Sequence, residues 1–576
     1  MHTFRVMVLA IAAVTILGLV VTSAIAADYY VDQSATGTGS GADWTNAFTT
    51  IEDGIKACSG TSADTVHVAA ATYAENLVLD NYVTLLGGYP PGGGTRDPDT
   101  NVTIIDGKGT GIAVHIENKI EICIDGFTIQ NGYRAGTGGG VRIYNDASAR
   151  ITNCVVQDSN ATTNGGGIYI YYDCVVEISD CEIINNKARE GAGIYVYDAE
   201  MSISGCRISY NDAVNVGSVS RLGGGIRCGY WSDVTIDECD ISYNTADYDG
   251  GGIYADHVDS LVVTDCNIFG NRAKHWGGGF YGAYYDFELR DCVIRDNLAD
   301  STEYNGYGGG LSFYEGAVDR CEVINCIVRS NKAEDGGGGV YCSGSEPSFE
   351  NTVISDNEVT SGNGGGFYCE YDSAPSLMNC IVVDNRADYG GGIYNAYNSG
   401  HTASVTVHSC TFSENEAYLT DSGGAIFLED DTSAEVRDSI LWRDRPNETD
   451  GTGTFTITYS DVDGSGYGED GGCTPDGKGN MDCDPLFVSG YYLSETGAGQ
   501  ESDSPCINRG DDTAENLDLD DRTTRTDGVD DTGMVDMGYH YLNGSSLHHY
   551  VDEWSGDDSN GGTSWSDAFL TIQAAI

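Results

Sequence analysis

Proline is nearly missing from this chain, 9 residues in 576, and after the first 21 residues no segment is long and apolar enough to cross a membrane as a helix. Basic residues are scarce as well: 28 lysines and arginines stand against 88 aspartates and glutamates, a formal net charge of −60. Such a surface repels a phosphate backbone, which is bound by lysine and arginine, and nucleic acid is excluded as a partner. Cysteine is present, 19 residues, but no convergent CxxC pairs occur, and this removes the zinc-module readings. Abundance lies elsewhere, in 79 glycines and in 37 tyrosines against 14 phenylalanines. That mixture belongs to many short strands joined by tight turns. A chain this long exceeds one compact core, so it is either several domains or one elongated repeat array.

The first residues are MHTFR, followed by 16 uncharged residues from Val6 to Val21 and then by Ala24-Ile25-Ala26. An apolar run shorter than the roughly 20 residues of a membrane span, with an A-x-A site behind it, is the pattern of a cleaved export signal. Residues 1–27 are read as a signal peptide. The mature chain is then expected outside the cell, or on a bacterial cell surface or outer membrane, with no transmembrane helix after cleavage.

Self-similarity organises the rest. A glycine triplet before an apolar residue recurs from GGGV, ending at Val141, to GGAI, ending at Ile426, with successive spacings of 27, 26, 32, 27, 27, 31, 29, 27, 26 and 33 residues. Each triplet is followed by a second landmark such as DCEIINN, DCNIFGN or NCIVVDN, in which Cys181, Cys266 and Cys380 hold one position and Thr352 and Ser439 replace cysteine. Apolar residues two after and three and five before that position alternate with period two, the signature of strands. Each repeat reads as three short strands: one after the glycines, one before the cysteine and one from the cysteine onward. No room is left for a helix, so successive turns must stack and pair in parallel. The expected fold is all-β, a right-handed parallel β-helix of about a dozen turns, and at ~4.8 Å per turn a rod roughly 60 Å long.

The ends depart from the repeat. In 28–65, Phe48, Ile51 and Ile55 share one helical face, so a short amphipathic helix is expected to cap the rod, which spans 66–460. Residues 461–543 form an irregular acidic closing segment. From Tyr550 the sequence echoes the stretch from Tyr30, with Trp565, Ala568, Phe569 and Ile572 repeating Trp44, Ala47, Phe48 and Ile51, and 544–576 is read as the start of a second module.

GGAI at 423–426 and FSEN at 412–415 resemble the GGA[IVL] and FxxN repeats of the polymorphic outer membrane proteins, a family of bacterial surface β-helices. The run CDPLFVSGYYLSETGAGQESDSPCINRGDD with VDMGYHY is similar to the closing region of bacterial secreted right-handed β-helix proteins. The resemblance implies the fold and a surface location. It says little of activity, and the membrane-inserting barrel of the outer membrane family has no counterpart in the sequence.

Four features invite chemistry. The cysteine row, one per turn on the inward side, is read as a buried ladder. The row Asn186, Asn211, Asn244, Asn271 and onward is read as a structural turn ladder, since asparagine tolerates a left-handed conformation and bonds its neighbours' backbone. Tyr169, Tyr195, Tyr254, Tyr281, Tyr341, Tyr368 and Tyr394 each follow an inward residue, so alternation turns them outward as an exposed strip able to stack on sugars or on a partner protein. Acidic residues before the glycines (Glu190, Asp247, Asp249, Asp300, Glu334, Asp335, Asp388) form a solvated ridge; no motif calls for a cofactor, and calcium is the one ion these carboxylates would attract. Cys473 and Cys483 flank a loop outside the repeats and are the disulfide candidates.

The stretch RAKHWGGGFYGAY, 272–284, looks most like a site, yet only Lys274, His275 and Trp276 depart from the repeat. His275 and Trp276 join the tyrosine strip as candidate ligand contacts. The expected function is an exported, adhesin-like scaffold that binds carbohydrate or a surface protein. Two readings compete: a polysaccharide lyase or glycoside hydrolase on the same pectin-lyase-like fold, and a structural spacer in a longer tandem protein. An enzyme needs a cluster that breaks the repeat, and the off-pattern residues Lys274, His275, Arg295 and Arg329 do not converge on one motif.

Overall fold

The computed structural model describes residues 26–542 apart from 60–63, 81, 119–120, 215–220, 285, 301–304, 316–320, 399, 468–472 and 489. Nearly all of the expected signal peptide and the whole of the expected second module, 544–576, lie outside the described residues.

Each repeat forms one turn of a parallel β-helix. One turn shows the pattern: strands Ile253–Asp256 and Ser260–Thr264 lie in one sheet, Asn267–Phe269 in a second and Arg272–Ala273 in a third. The sheets contain 28, 15 and 11 parallel strands among the described residues. Register follows the repeat, Phe280 pairing with Ile253 on one side and Leu311 on the other. The first two expected strands therefore share a sheet, and at Ile168–Ser179 and Ile194–Ser204 they are one continuous strand. The third sheet comes from a two-residue strand that the apolar pattern hid. Its mark is a small apolar residue two after the asparagine, alanine at Ala188, Ala213, Ala246 and Ala273 and valine at Val359, buried where a small side chain fills a narrow corner.

Hydrogen-bonded ladders fix the interior. The Cys239 N–H donates to Sγ of Cys266 at 3.4 Å, and that thiol donates to the Thr264 carbonyl at 3.0 Å. Thr352 and Ser439 substitute without loss because their hydroxyls accept from Cys326 and Cys410 N–H at 3.3 and 3.1 Å. The asparagines point inward and are fully buried. Asn271 Nδ2 donates to the Ile241 carbonyl (2.8 Å) and to Asn297 Oδ1 (3.1 Å), while its own Oδ1 accepts from the N–H and Nδ2 of Asn244, both at 3.0 Å. The left-handed turn expected at these asparagines belongs to the residue before each: Asn185 (φ 57°), Tyr210 (57°), Tyr243 (54°) and Asp296 (55°). That residue takes the bend, and the asparagine is left free to turn in and satisfy buried backbone. The last glycine of each triplet packs against this ladder. A Cβ on Gly279 would stand 2.7 Å from the Gly310 carbonyl and 2.9 Å from Asn297 Nδ2.

At the top, helix Ile51–Ala57 starts at Thr50, whose side chain accepts from Asp53 N–H, and Glu75 accepts from the Ile51 and Glu52 N–H groups at 3.0 and 2.9 Å. Ile51 and Ile55 are buried on the core, and Gly54 lies against Val31 and Val66. At the bottom, the closing segment does more than plug the end. It turns back along the outer face of the second sheet, where Tyr539 packs on Ile381 and Val383. The Tyr539 N–H donates to Thr411 Oγ1 (3.1 Å), and His540 N–H to Asn379 Oδ1 (2.6 Å). Cys473 and Cys483 are joined by a disulfide with Cα atoms 5.0 Å apart.

Candidate functional site

Register places the expected tyrosines in one column outside the first sheet. Ring centroids are 5.3 Å apart for Tyr169 and Tyr195, 4.8 Å for Tyr254 and Tyr281, 5.9 Å for Tyr341 and Tyr368, and 5.3 Å for Tyr368 and Tyr394. Their expected exposure is overturned. Tyr169, Tyr195, Tyr254, Tyr281, Tyr341 and Tyr394 are at most 8 % exposed, and Tyr368 is half-buried. The rings stack along the rod axis, so each covers its neighbours' faces and no π-face is left for a sugar. Burial pushes their hydroxyls up, that of Tyr195 to about 12, and keeps them neutral. Arg227 takes one place in the column, its guanidinium 5.2 Å from the Tyr195 ring and 5.6 Å from that of Tyr254, and is held by Asp256 at 3.0 Å.

The three individual residues of 272–284 serve the same column. Lys274 Nζ pairs with Asp247 at 2.6 Å. Asp249 Oδ1 accepts from Trp276 N–H at 3.0 Å and lies 2.8 Å from His275 Nδ1. His275 in turn stacks on Tyr248 and on Trp276. Trp276 closes a gap. Ser312 stands where the next tyrosine belongs, and the indole reaches Tyr281 (6.1 Å), Tyr314 (4.9 Å) and Tyr341 (5.7 Å) across it. His275 and Trp276 are therefore the lid of the stack.

A second aromatic column lies two or three residues further along these strands. Tyr144, Tyr171, Tyr197, Tyr230, His257 and Tyr284 follow one another at 5.7, 5.3, 5.8, 4.1 and 4.4 Å and are half-buried. Alternation carried past the first tyrosine of YIYY and YVY would have found its upper members. Beside it the chain bends through left-handed φ at Trp231 (59°), His257 (53°) and Tyr284 (55°), a strained conformation for bulky side chains. Trp231 is unlike the rest. Its ring stands 86° to Tyr197 and 65° to Tyr230, so neither stacks on its face, and the residue is 61 % exposed.

Two residues beyond Trp231, strand Asp233–Asp237 enters an open groove of about 820 Å³ on the outer face of the first sheet. Strands from Thr84 to Ser260 line it in succession, a length of about 30 Å at ~4.8 Å per turn. Outward Glu121, Arg150, Val175, Glu177, Glu200 and Asp233 form its floor, with Arg150 Nε bonded to Glu177 at 2.9 Å. Trp231 lies two residues before Asp233 in the chain and is largely exposed. No repeat-based reading singles it out, because it sits at the bend between strands and has no counterpart in neighbouring turns.

A family model described as the right handed beta helix region matches residues 100–222, 167–354 and 348–441, more than half of the chain. The chain belongs to the right-handed β-helix family. No curated protein matches it. Six chains of known structure match. One is pectate lyase Pel9A, 12 % identical, the match covering 91 % of this chain and 98 % of that one with a TM-score of 0.27.

Among the described residues, the off-pattern arginines do not line the groove. Arg295 and Arg329 are register partners on the second sheet, away from the groove, and Arg295 is bonded to Asp296 at 2.8 Å. Of the acidic ridge, Glu190 pairs with Arg189 (3.2 Å), Asp300 with Arg272 (2.7 Å), and Asp335 accepts from Gly306 N–H (2.8 Å). Among the described residues no group of three or more Asp, Glu, His or Cys side chains is arranged to hold a metal ion, and no helix is long and apolar enough to cross a membrane. Shifted carboxyls collect at the bottom of the rod. Burial pushes Asp461 up to about 7, and burial with the neighbouring Asp444 carboxyl raises Glu448, so that this pair keeps a proton. Asp444 ends the asparagine ladder, its Oδ1 accepting from the N–H and Nδ2 of Asn415, both at 2.7 Å.

Proposed function

We propose that this β-helix is an exported scaffold whose outer face binds an extended polysaccharide. The carrying observation is Trp231: a tryptophan 61 % exposed, in a strained left-handed conformation, two residues before Asp233 in the lining of an open groove about 30 Å long. A sugar ring stacks on a free aromatic face, and a polymer laid along the rod meets the same spacing at every turn. Tyr197 and Tyr230 of the half-buried column pack edge-on against Trp231 and support it. Screening the protein on a panel of polysaccharides, for binding and for product release, tests this. Binding without release, lost in Trp231→Ala at unchanged fold, is the expected result. Absence of binding across the panel, or full binding by Trp231→Ala, refutes it, and release of oligosaccharides that stops in Glu200→Gln or Asp233→Asn replaces binding with hydrolysis.

A further inference from the structure

We propose that the polymer this groove selects carries amines, a β-linked polysaccharide of amino sugars in the unacetylated, cationic form. The inference rests on the glycan reading above and narrows it. Glu200 and Asp233 are direct register partners on adjacent parallel strands, both exposed and both lining the groove. Like charges opposite one another are unfavourable, and no basic residue among the described ones forms an ion pair with either. The nearest cation on the floor, Arg150, is already held by Glu177. Glu121 adds a further negative charge along the same column of outward positions, where it pairs with Ser148. The groove therefore offers carboxylates one turn apart and an apolar patch at Val175, with the exposed Trp231 two residues before Asp233 in the chain. An ammonium group gains from both the carboxylates and the aromatic face, whereas a sugar acid is repelled by the floor and by a chain of net charge −60. A neutral glycan gains from the indole alone.

Titration calorimetry with four probes separates these cases: a glucosamine hexamer, its N-acetylated counterpart, a neutral β-glucan hexamer and polygalacturonate, each at low and at high salt. The glucosamine hexamer is expected to bind tightest and to weaken with salt. Glu200→Gln and Asp233→Asn are each expected to weaken it by about fivefold, and to weaken the N-acetylated hexamer distinctly less. Glu501→Gln and Asp520→Asn, exposed on the closing segment, serve as controls. An equal loss in those controls means diffuse attraction to the acidic surface and overturns the proposal. So does binding of the N-acetylated, neutral or acidic polymer as tight as that of the amine, which leaves the glycan reading standing. No binding of any probe, with Trp231→Ala indistinguishable from the native chain, removes both.

Discussion

Replacing Asn271 by alanine removes four hydrogen bonds from a fully buried site: two donated by its Nδ2, to Ile241 and Asn297, and two accepted by its Oδ1 from Asn244. A buried group left without its partner costs about 1–3 kcal/mol, and the Asn244 N–H loses its acceptor outright, so a loss of about 4 kcal/mol is expected. Asn271→Asp separates hydrogen bonding from size. It keeps both accepted bonds but turns a carboxylate toward the Ile241 carbonyl and Asn297 Oδ1. Burial raises the folded-state pKa of such a group above its unfolded value near ~3.9, so this variant is least impaired below that pH and loses stability as pH rises through the folded pKa. Urea denaturation followed by circular dichroism at acidic and neutral pH reads both effects, with the half-buried, outward Asn267→Ala, bonded to Asp240, as the control. An Asn271→Ala midpoint equal to that of the control would refute the load assigned to the ladder, as would an Asn271→Asp midpoint independent of pH.

Arg227→Ala should cost about 3–5 kcal/mol, because it leaves the largely buried Asp256 without the arginine that holds it at 3.0 Å. Arg227→Tyr restores the stack but not the charge, and its thermal midpoint should recover on acidification as Asp256, whose pKa burial raises, takes up a proton. Asp461→Asn should reduce a pH dependence: the stability that Asp461 contributes is present near pH 4 and is lost as pH rises through about 7, and the asparagine variant should decline less steeply over that window and be firmer at neutral pH. Trp276→Ala should open the stack between Tyr281 and Tyr341, lowering the midpoint by about 3 kcal/mol and leaving glycan binding intact. Loss of binding in Trp276→Ala with an unchanged midpoint would return that residue to the ligand site.

Inward positions were legible in the sequence because every turn repeats the same demand: Ile253, Phe280 and Leu311 fill one place, and Cys239, Cys266 and Cys292 another. Period two also gave the direction of the tyrosines. It could not give their burial, which depends on the loop before the glycines folding over them, as Trp276 does across Ser312. The third sheet was hidden because two residues carry no periodicity, only a small apolar residue. The asparagine's role was displaced by one residue: φ is set by Tyr243 or Asp296, and composition alone does not say which neighbour bends. The return of the closing segment over Ile381 and Val383 is a contact between positions more than a hundred residues apart, Tyr539 to Thr411, with no repeat to announce it. Trp231 escaped because a feature unique to one turn looks like noise against a repeat.

The division between supporting column and ligand face is tested most directly by setting Trp231→Ala beside Tyr281→Ala, measuring affinity for the glycan that the native chain binds and the unfolding midpoint of each. Trp231→Ala should abolish binding at an unchanged midpoint, and Tyr281→Ala should lose about 3 kcal/mol of stability while its folded fraction binds with native affinity. The reverse pattern, with binding carried by Tyr281 and dispensable at Trp231, would contradict it.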